Sequence, residues 1–453
     1  MAVEPSRVIP PTINRNDFPN DFIFGTASSA YQYEGAANEG GRGPSIWDTL
    51  THQHPEKIDD KSNGDKAVEF YYHYKDDVKL MKEMEMDAFR FSISWSRLLP
   101  NGRRGVDDVG VNEEGVQFYK RLILELLSKP FVTIFHWDLP QALETEYGGF
   151  LNHQIVDDFR EFAGLCFERF GDQVKHWITI NEPWSYSITY AKEDTFALMS
   201  RCSPLVSVLQ RAEGPSTDPY KVAHHMLLSH AETVKLYKER HQASQGGEIG
   251  ITLVCNWMVP YSDTENDKKA AGRALDFMVG WFMDPLTYGD YPLTMRTLLQ
   301  KRLPKFTEEQ SKMVKGSFDF IGMNYYTAHY AADDSTGKST DSHVKISTDR
   351  DDIPIGPPGF AITKVFGVLN YFIFFFKVDS RMKSILINLC GLGSVEKVNI
   401  KGYFAWSLLD NFEWRSGYTV RFGLYFVEYK NGSLKRQPKK SAIWFKKFLQ
   451  RRL

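Results

Sequence analysis

The chain of 453 residues carries 55 Lys and Arg against 57 Asp and Glu, a net charge of −2, which excludes a basic field for nucleic acid and an acidic tail for a basic partner. Its 32 Phe, 22 Tyr and 10 Trp make 14% of the residues, more than a core requires and suited to stacking on flat or ring-shaped ligands. Cys166, Cys202, Cys255 and Cys390 stand far apart without zinc-type spacing, and no Gly-rich phosphate loop or metal cluster is readable, so neither metal nor cofactor is expected.

Residues 1–17 read as an N-terminal extension with no apolar leader, which points to a soluble protein of the cytoplasm as the sequence stands, or of the secretory route or vacuole if the N-terminus is incomplete. Residues 18–453 read as one domain. Short β-branched or aromatic runs predict strands at 22–26, 88–95, 131–137, 176–180, 249–257, 318–326 and 402–407. Helical spacing intervenes at 66–84 and 115–127. Strands alternating with helices predict an α/β fold with a parallel sheet, and seven such units over this length fit a (β/α)₈ TIM barrel. Stretches 191–219 and 328–358 read as irregular loops. The uncharged run 365–376 is too short for the roughly 20 residues of a bilayer crossing, so no membrane partner is expected.

The predicted strands end alike. Apolar residues give way to Gln32-Tyr33-Glu34, His136-Trp137-Asp138, Asn181-Glu182-Pro183, Asn324-Tyr325-Tyr326, and Trp406 leading to Glu413-Trp414. In a barrel, that edge is where an active site is built. Amides, carboxylates and indoles together suit a polyhydroxyl ligand, with hydroxyls bonded by the polar groups and the ring face stacked on Trp. Cleaving a glycosidic bond needs two carboxyl groups flanking it. Glu182 is the candidate acid, because burial at the end of an apolar strand favours the neutral, proton-donating carboxyl. Asn181 is placed to bond a sugar 2-hydroxyl.

These motifs, with Phe24-Gly25-Thr26-Ala27, Arg90-Phe91-Ser92-Ile93-Ser94-Trp95 and Gly402-Tyr403-Phe404-Ala405-Trp406-Ser407, resemble family 1 glycoside hydrolases, in wording nearest the plant β-glucosidases. The resemblance implies that Gln32, His136, Asn181, Glu413 and Trp414 hold the glycone of a small β-glucoside. It implies Glu182 as acid/base, Trp406 as stacking platform, and Asn324 and Tyr326 as supports near the nucleophile. A carboxylate at Glu413 would repel a 6-phosphate, so the glycone is expected to be unphosphorylated.

One part of the pattern is missing. The family's nucleophile lies in a Thr/Ser-Glu-Asn-Gly motif at the seventh strand, and this sequence contains none. Between Tyr326 and Gly402 the only Glu is Glu396, and Asp379 is the other carboxylate that an apolar strand could deliver. Thr264-Glu265-Asn266-Asp267 is the nearest wording but follows the fifth strand. Residues 367–376 or 385–390 must act as a surrogate seventh strand. The expected outcome is a β-glucosidase with impaired catalysis; the alternative is a non-catalytic glucoside-binding protein.

Overall fold

The computed structural model describes residues 15–126, 129–191, 217–334, 341–347, 349–350, 353–354, 372–376 and 400–450. Eight strands form its centre: β1 (Ile23–Ala27), β2 (Ala88–Ser92), β3 (Lys129–Phe135), β4 (His176–Asn181), β5 (Glu248–Pro260), β6 (Phe320–Asp333), β7 (Phe372–Phe376) and β8 (Ile400–Trp406). From β1 to β6 every neighbouring pair is parallel, and β8 pairs parallel with β1, as in the predicted barrel.

β7 closes the ring, and it runs the other way. Phe372 pairs with Tyr325 and Ala405 at the upper end, while Phe376 pairs with Ile321 and Ile400 at the lower end. The surrogate strand is therefore the later part of the 367–376 run, antiparallel to both neighbours. Residues 385–390 lie outside the described residues. A strand in this position enters at the C-terminal mouth of its neighbours and leaves at the opposite end.

Alternation along the strands sorts two cores. Ala27, Ala88, Phe131, Ile178, Phe320 and Phe404 meet inside the ring and plug its lower half. Phe131 meets Phe404 edge-on at 4.9 Å. Gly25 is required here, because a Cβ would come within 2.6 Å of the Ala88 carbonyl and 2.7 Å of the Phe404 ring. The larger core lies between barrel and helices, with Trp47, Trp95, Trp177 and Trp281 among its fully buried side chains.

Helix Phe70–Glu83 illustrates how the outer layer forms. The expected start at 66 fails because Ala67 and Glu69 have left-handed backbones, so the helix begins at Phe70. Phe70, Tyr74, Asp77, Val78 and Met81 then share its buried stripe. Asp77, the one charge in that stripe, takes a two-pronged bond from Arg436 at 2.9 and 3.0 Å. Helix Glu113–Glu125 replaces the predicted 115–127.

The predicted 328–358 loop is corrected in part. β6 continues to Asp333, because β5 is long enough to pair with it as far as Pro260–Ala331, and Val344–Ser347 adds an antiparallel strand on its other edge. Of the second loop, residues 192–216 lie outside the described residues; helix Asp218–Arg240 begins where Pro219 occupies its first turn. No helix among the described residues is long and apolar enough to cross a membrane.

Candidate active site

The upper mouth of the barrel collects the nine candidate site residues, whereas Tyr33 and Tyr325 from the same strand ends pack into the larger core. Gln32 follows β1, His136 and Trp137 follow β3, Asn181 ends β4 with Glu182 beside it, Asn324 and Tyr326 lie on β6, and Trp406 ends β8. Glu413 and Trp414 return over the mouth from the segment after β8.

Glu182 sits at 4% exposure in a polar cradle. Asn324 Nδ2 and Tyr326 OH donate to its Oε1 at 2.5 and 3.0 Å. Ser185 Oγ donates to Oε2 at 2.7 Å from the first turn of helix Pro183–Ala191. This differs from the apolar burial expected from the strand before it. The apolar residues of β4 pack elsewhere, and β6 presents polar groups to the carboxyl.

Beside it, Asn181 Oδ1 accepts from Arg90 Nη2 at 2.7 Å and from Asn324 Nδ2 at 3.3 Å. The Asn181 amide nitrogen faces His136 Nε2 at 3.2 Å. An acceptor at Nε2 places the ring proton on Nδ1. Burial first, and the Arg90 charge second, push the imidazole well below its ordinary range, so it is neutral at physiological pH.

Aromatic rings line the other wall. The His136 ring lies nearly parallel to Trp406 at 5.8 Å and to Trp414 at 6.0 Å. Trp137 approaches Trp414 at 4.8 Å and donates its indole N–H to the Asn181 carbonyl at 2.8 Å. Trp406 Nε1 donates to Glu413 Oε1 at 3.2 Å, and Gln32 Nε2 reaches Glu413 Oε2 at 3.4 Å. Glu413 shows one edge to the pocket but is otherwise enclosed, and burial pushes its carboxyl up to about 7 against the bonds from Trp406, Asn411 and Gln32.

Trp137, Glu182 and Trp414 all have left-handed backbones, with φ of 76°, 45° and 51°. Bulky residues rarely adopt that conformation, and each costs about 1–3 kcal/mol that surrounding structure must offset.

Three contributors escaped the strand-end reading. Thr133 accepts from Arg90 Nε at 2.9 Å, Ser185 holds Glu182, and Arg90 itself is fully buried on β2. A readable signal existed only for Arg90, a cation inside the otherwise apolar run Ala88-Phe89-Arg90-Phe91. Asp379 and Glu396 lie outside the described residues. Glu265 begins helix Glu265–Leu275, where it is exposed and pairs with Lys268. Among the described residues no group of His, Cys, Asp or Glu could hold a metal ion.

Fold and sequence together define a β/α-barrel glycosidase. The Glycosyl hydrolase family 1 model matches residues 14–360 and 381–452, and the chain belongs to that family. It is 53% identical to Beta-glucosidase 12 of Oryza sativa subsp. indica over 483 aligned positions, covering 97% of this chain and 94% of that protein. Furcatin hydrolase of Viburnum furcatum is 50% identical, covering 95% and 86%. The crystal structure of the rice Os3BGlu6 beta-glucosidase superposes with a TM-score of 0.83 at 40% identity, covering 97% of this chain and all of that one. The family match is interrupted at 361–380, the segment that contains β7.

Proposed function

We infer that this chain binds unphosphorylated β-glucosides in the mouth pocket, with Glu182 as acid/base, and that its own hydrolysis of them is impaired. The observation carrying this is the unbroken chain of contacts from Glu182 through Asn324, Asn181 and His136 to the Trp406–Glu413 pair. It sets a carboxyl able to protonate a leaving oxygen at one end of a sugar-sized wall. At the other end, Glu413, held by Gln32 and Trp406, offers bonds to ring hydroxyls beside Trp414. Asn324 and Tyr326 support Glu182 directly, rather than a second carboxylate.

Retention of configuration requires a nucleophilic carboxylate about 5–5.5 Å across from the acid. The missing Thr/Ser-Glu-Asn-Gly wording, the break in the family match and the reversed direction of β7 all support loss of that group. The chain leaves β7 at the end of the barrel away from Glu182.

Removing a covalent nucleophile costs on the order of 10⁴-fold or more in turnover. The purified chain is therefore expected to bind glucose by calorimetry while hydrolysing p-nitrophenyl β-glucoside at least about 10⁴-fold more slowly than the rice relative. Turnover matching the relative, in buffer without added small anions, would show that a nucleophile is in place. A protein that binds glucose and cleaves no activated glucoside under any condition would be the non-catalytic alternative.

Glu413 makes sugar binding depend on pH. Its carboxyl loses its proton near pH 7, and the ionised form accepts the stronger hydrogen bonds from hydroxyls. Glucose affinity should rise about fivefold between pH 6 and pH 8 and become flat in Glu413→Gln, measured by calorimetric titration. The sign for folding is opposite. Between about 4.5 and 7 only the unfolded chain has released this proton, so the group's contribution to stability falls as pH rises.

A further inference from the structure

The near-neutral net charge hides an uneven distribution. Residues 430–453 carry nine Lys and Arg and no Asp or Glu, so the other 429 residues carry −11 of the total of −2. Two of the nine are engaged inside the fold, Arg436 with Asp77 and Lys439 with Asp410, at 2.9 and 2.6 Å. Lys430, Lys435, Lys440 and Lys447 are exposed and Lys446 is half-buried. Among the described residues no carboxylate pairs with any of these five.

Helix Lys440–Leu449 gives this charge a shape. Ala442, Phe445, Phe448 and Leu449 form its buried face. Phe445 and Phe448 lie against Phe24 of β1, with ring centres 6.4 and 5.1 Å away, near the end of that strand opposite the mouth. Lys440, Ile443, Trp444 and Lys447 share the other side of the helix, at the i, i+3, i+4, i+7 spacing that sets side chains in one row. Ile443 is 49% exposed, and half-buried Trp444 lies nearly parallel to Phe448 at 5.4 Å. The row is thus an apolar pair between two cations about 10 Å apart along the axis.

We propose that this row is a docking surface for an acidic polysaccharide, a chain of uronic-acid sugars, whose carboxylates pair with Lys440 and Lys447 while a ring rests on Ile443 and Trp444. The apolar pair is too small to enter a bilayer, because the main apolar face of the helix is committed to the core. A duplex nucleic acid carries one charge per about 1.7 Å and would meet the acid excess of the remaining surface on leaving the patch. The exposed cations of the helix are Lys, point charges without the Arg fork that grips phosphate with two parallel bonds. One carboxylate per sugar is a sparser charge, and each ring adds an apolar face that an indole can stack on. The helix packs at the far end of the barrel from Glu182, so a docked polymer leaves the mouth open.

The test follows binding of the full chain to immobilised polygalacturonate by biolayer interferometry, with dextran as the neutral control. The expected result is saturable binding to polygalacturonate alone, weakened on the order of tenfold between about 50 and 200 mM salt. Lys440→Glu with Lys447→Glu should weaken it by about tenfold or more, and Ile443→Ser by about threefold without changing the salt dependence. Lys440→Gln with Lys447→Gln serves in their place if the reversed pair fails to fold. Lys301→Glu with Lys305→Glu, exposed lysines elsewhere, makes the same change in net charge and should leave binding as it was. No binding, or equal loss in both charge-reversed pairs, overturns the site. Competition by glucose would move the polymer to the mouth and overturn it equally. Polyglutamate, duplex DNA or phosphatidylserine vesicles bound as tightly as polygalacturonate would overturn the assignment to a sugar chain.

Discussion

Glu182→Gln is expected to lower cleavage of alkyl β-glucosides by about 10²- to 10⁴-fold while changing dinitrophenyl β-glucoside cleavage little. An alkoxide cannot leave without a proton, whereas dinitrophenolate leaves unaided. The substitution preserves shape: a Gln oxygen still accepts from Asn324 and Tyr326, which now bond Oε1 of Glu182 at 2.5 and 3.0 Å. The readout is the ratio of the two rates, so it holds whatever the absolute turnover. The ratio should shift against the alkyl substrate. Equal losses on both substrates would assign Glu182 to holding the pocket together rather than to proton transfer.

Arg436→Met is expected to destabilise the fold by about 3–5 kcal/mol, read as a lowered denaturation midpoint. Arg436 reaches Asp77 with two nitrogens and also bonds the Val68 and Leu434 carbonyls at 2.7 Å each. Asp77 is fully buried, and burial already pushes its carboxyl above the usual range with Arg436 in place. Without the guanidinium, that carboxyl must stay buried and unpaired or take up a proton. Either course weakens the tie between helix Phe70–Glu83 and the strand Arg436–Pro438 near the C-terminus. Asp77→Leu combined with Arg436→Met should recover much of the loss, because a buried pair replaced by apolar groups is often neutral, whereas a broken pair is not.

Much of the site was legible because strand ends are legible. A β-branched run that stops at Asn181-Glu182, or at His136-Trp137, tells where the backbone reaches the barrel mouth, and short-range chemistry is enough to read it. Strand β6 was read too short because its second half, Thr327–Asp333, alternates polar and small residues without an apolar signature; the length of β5 holds it in the sheet. Glu182 was expected in apolar surroundings on the strength of β4, but two of its three partners, Asn324 and Tyr326, come from β6, more than a hundred residues later. Arg90 was visible as a cation in an apolar strand, yet its neighbours were not. Thr133 and Asn181 meet it only because β2, β3 and β4 lie side by side.

The sequence by itself determined the family, the β/α barrel and the nine residues of the mouth, from Gln32 to Trp414, since each depends on local patterns that repeat in chain order. It also exposed the missing nucleophile wording, which is a fact about letters. What only the tertiary structure decided is the direction of β7 and the state of Arg90. An unbroken apolar run carries no polarity along its length, so Phe372–Phe376 could pair either way until β6 and β8 offered their edges. A buried guanidinium likewise has no readable partner until the strands around it are assembled. The aromatic excess noted at the outset divides accordingly: core rings, the Trp137–Trp406–Trp414 wall, and a Phe-rich strand that closes the barrel in reverse.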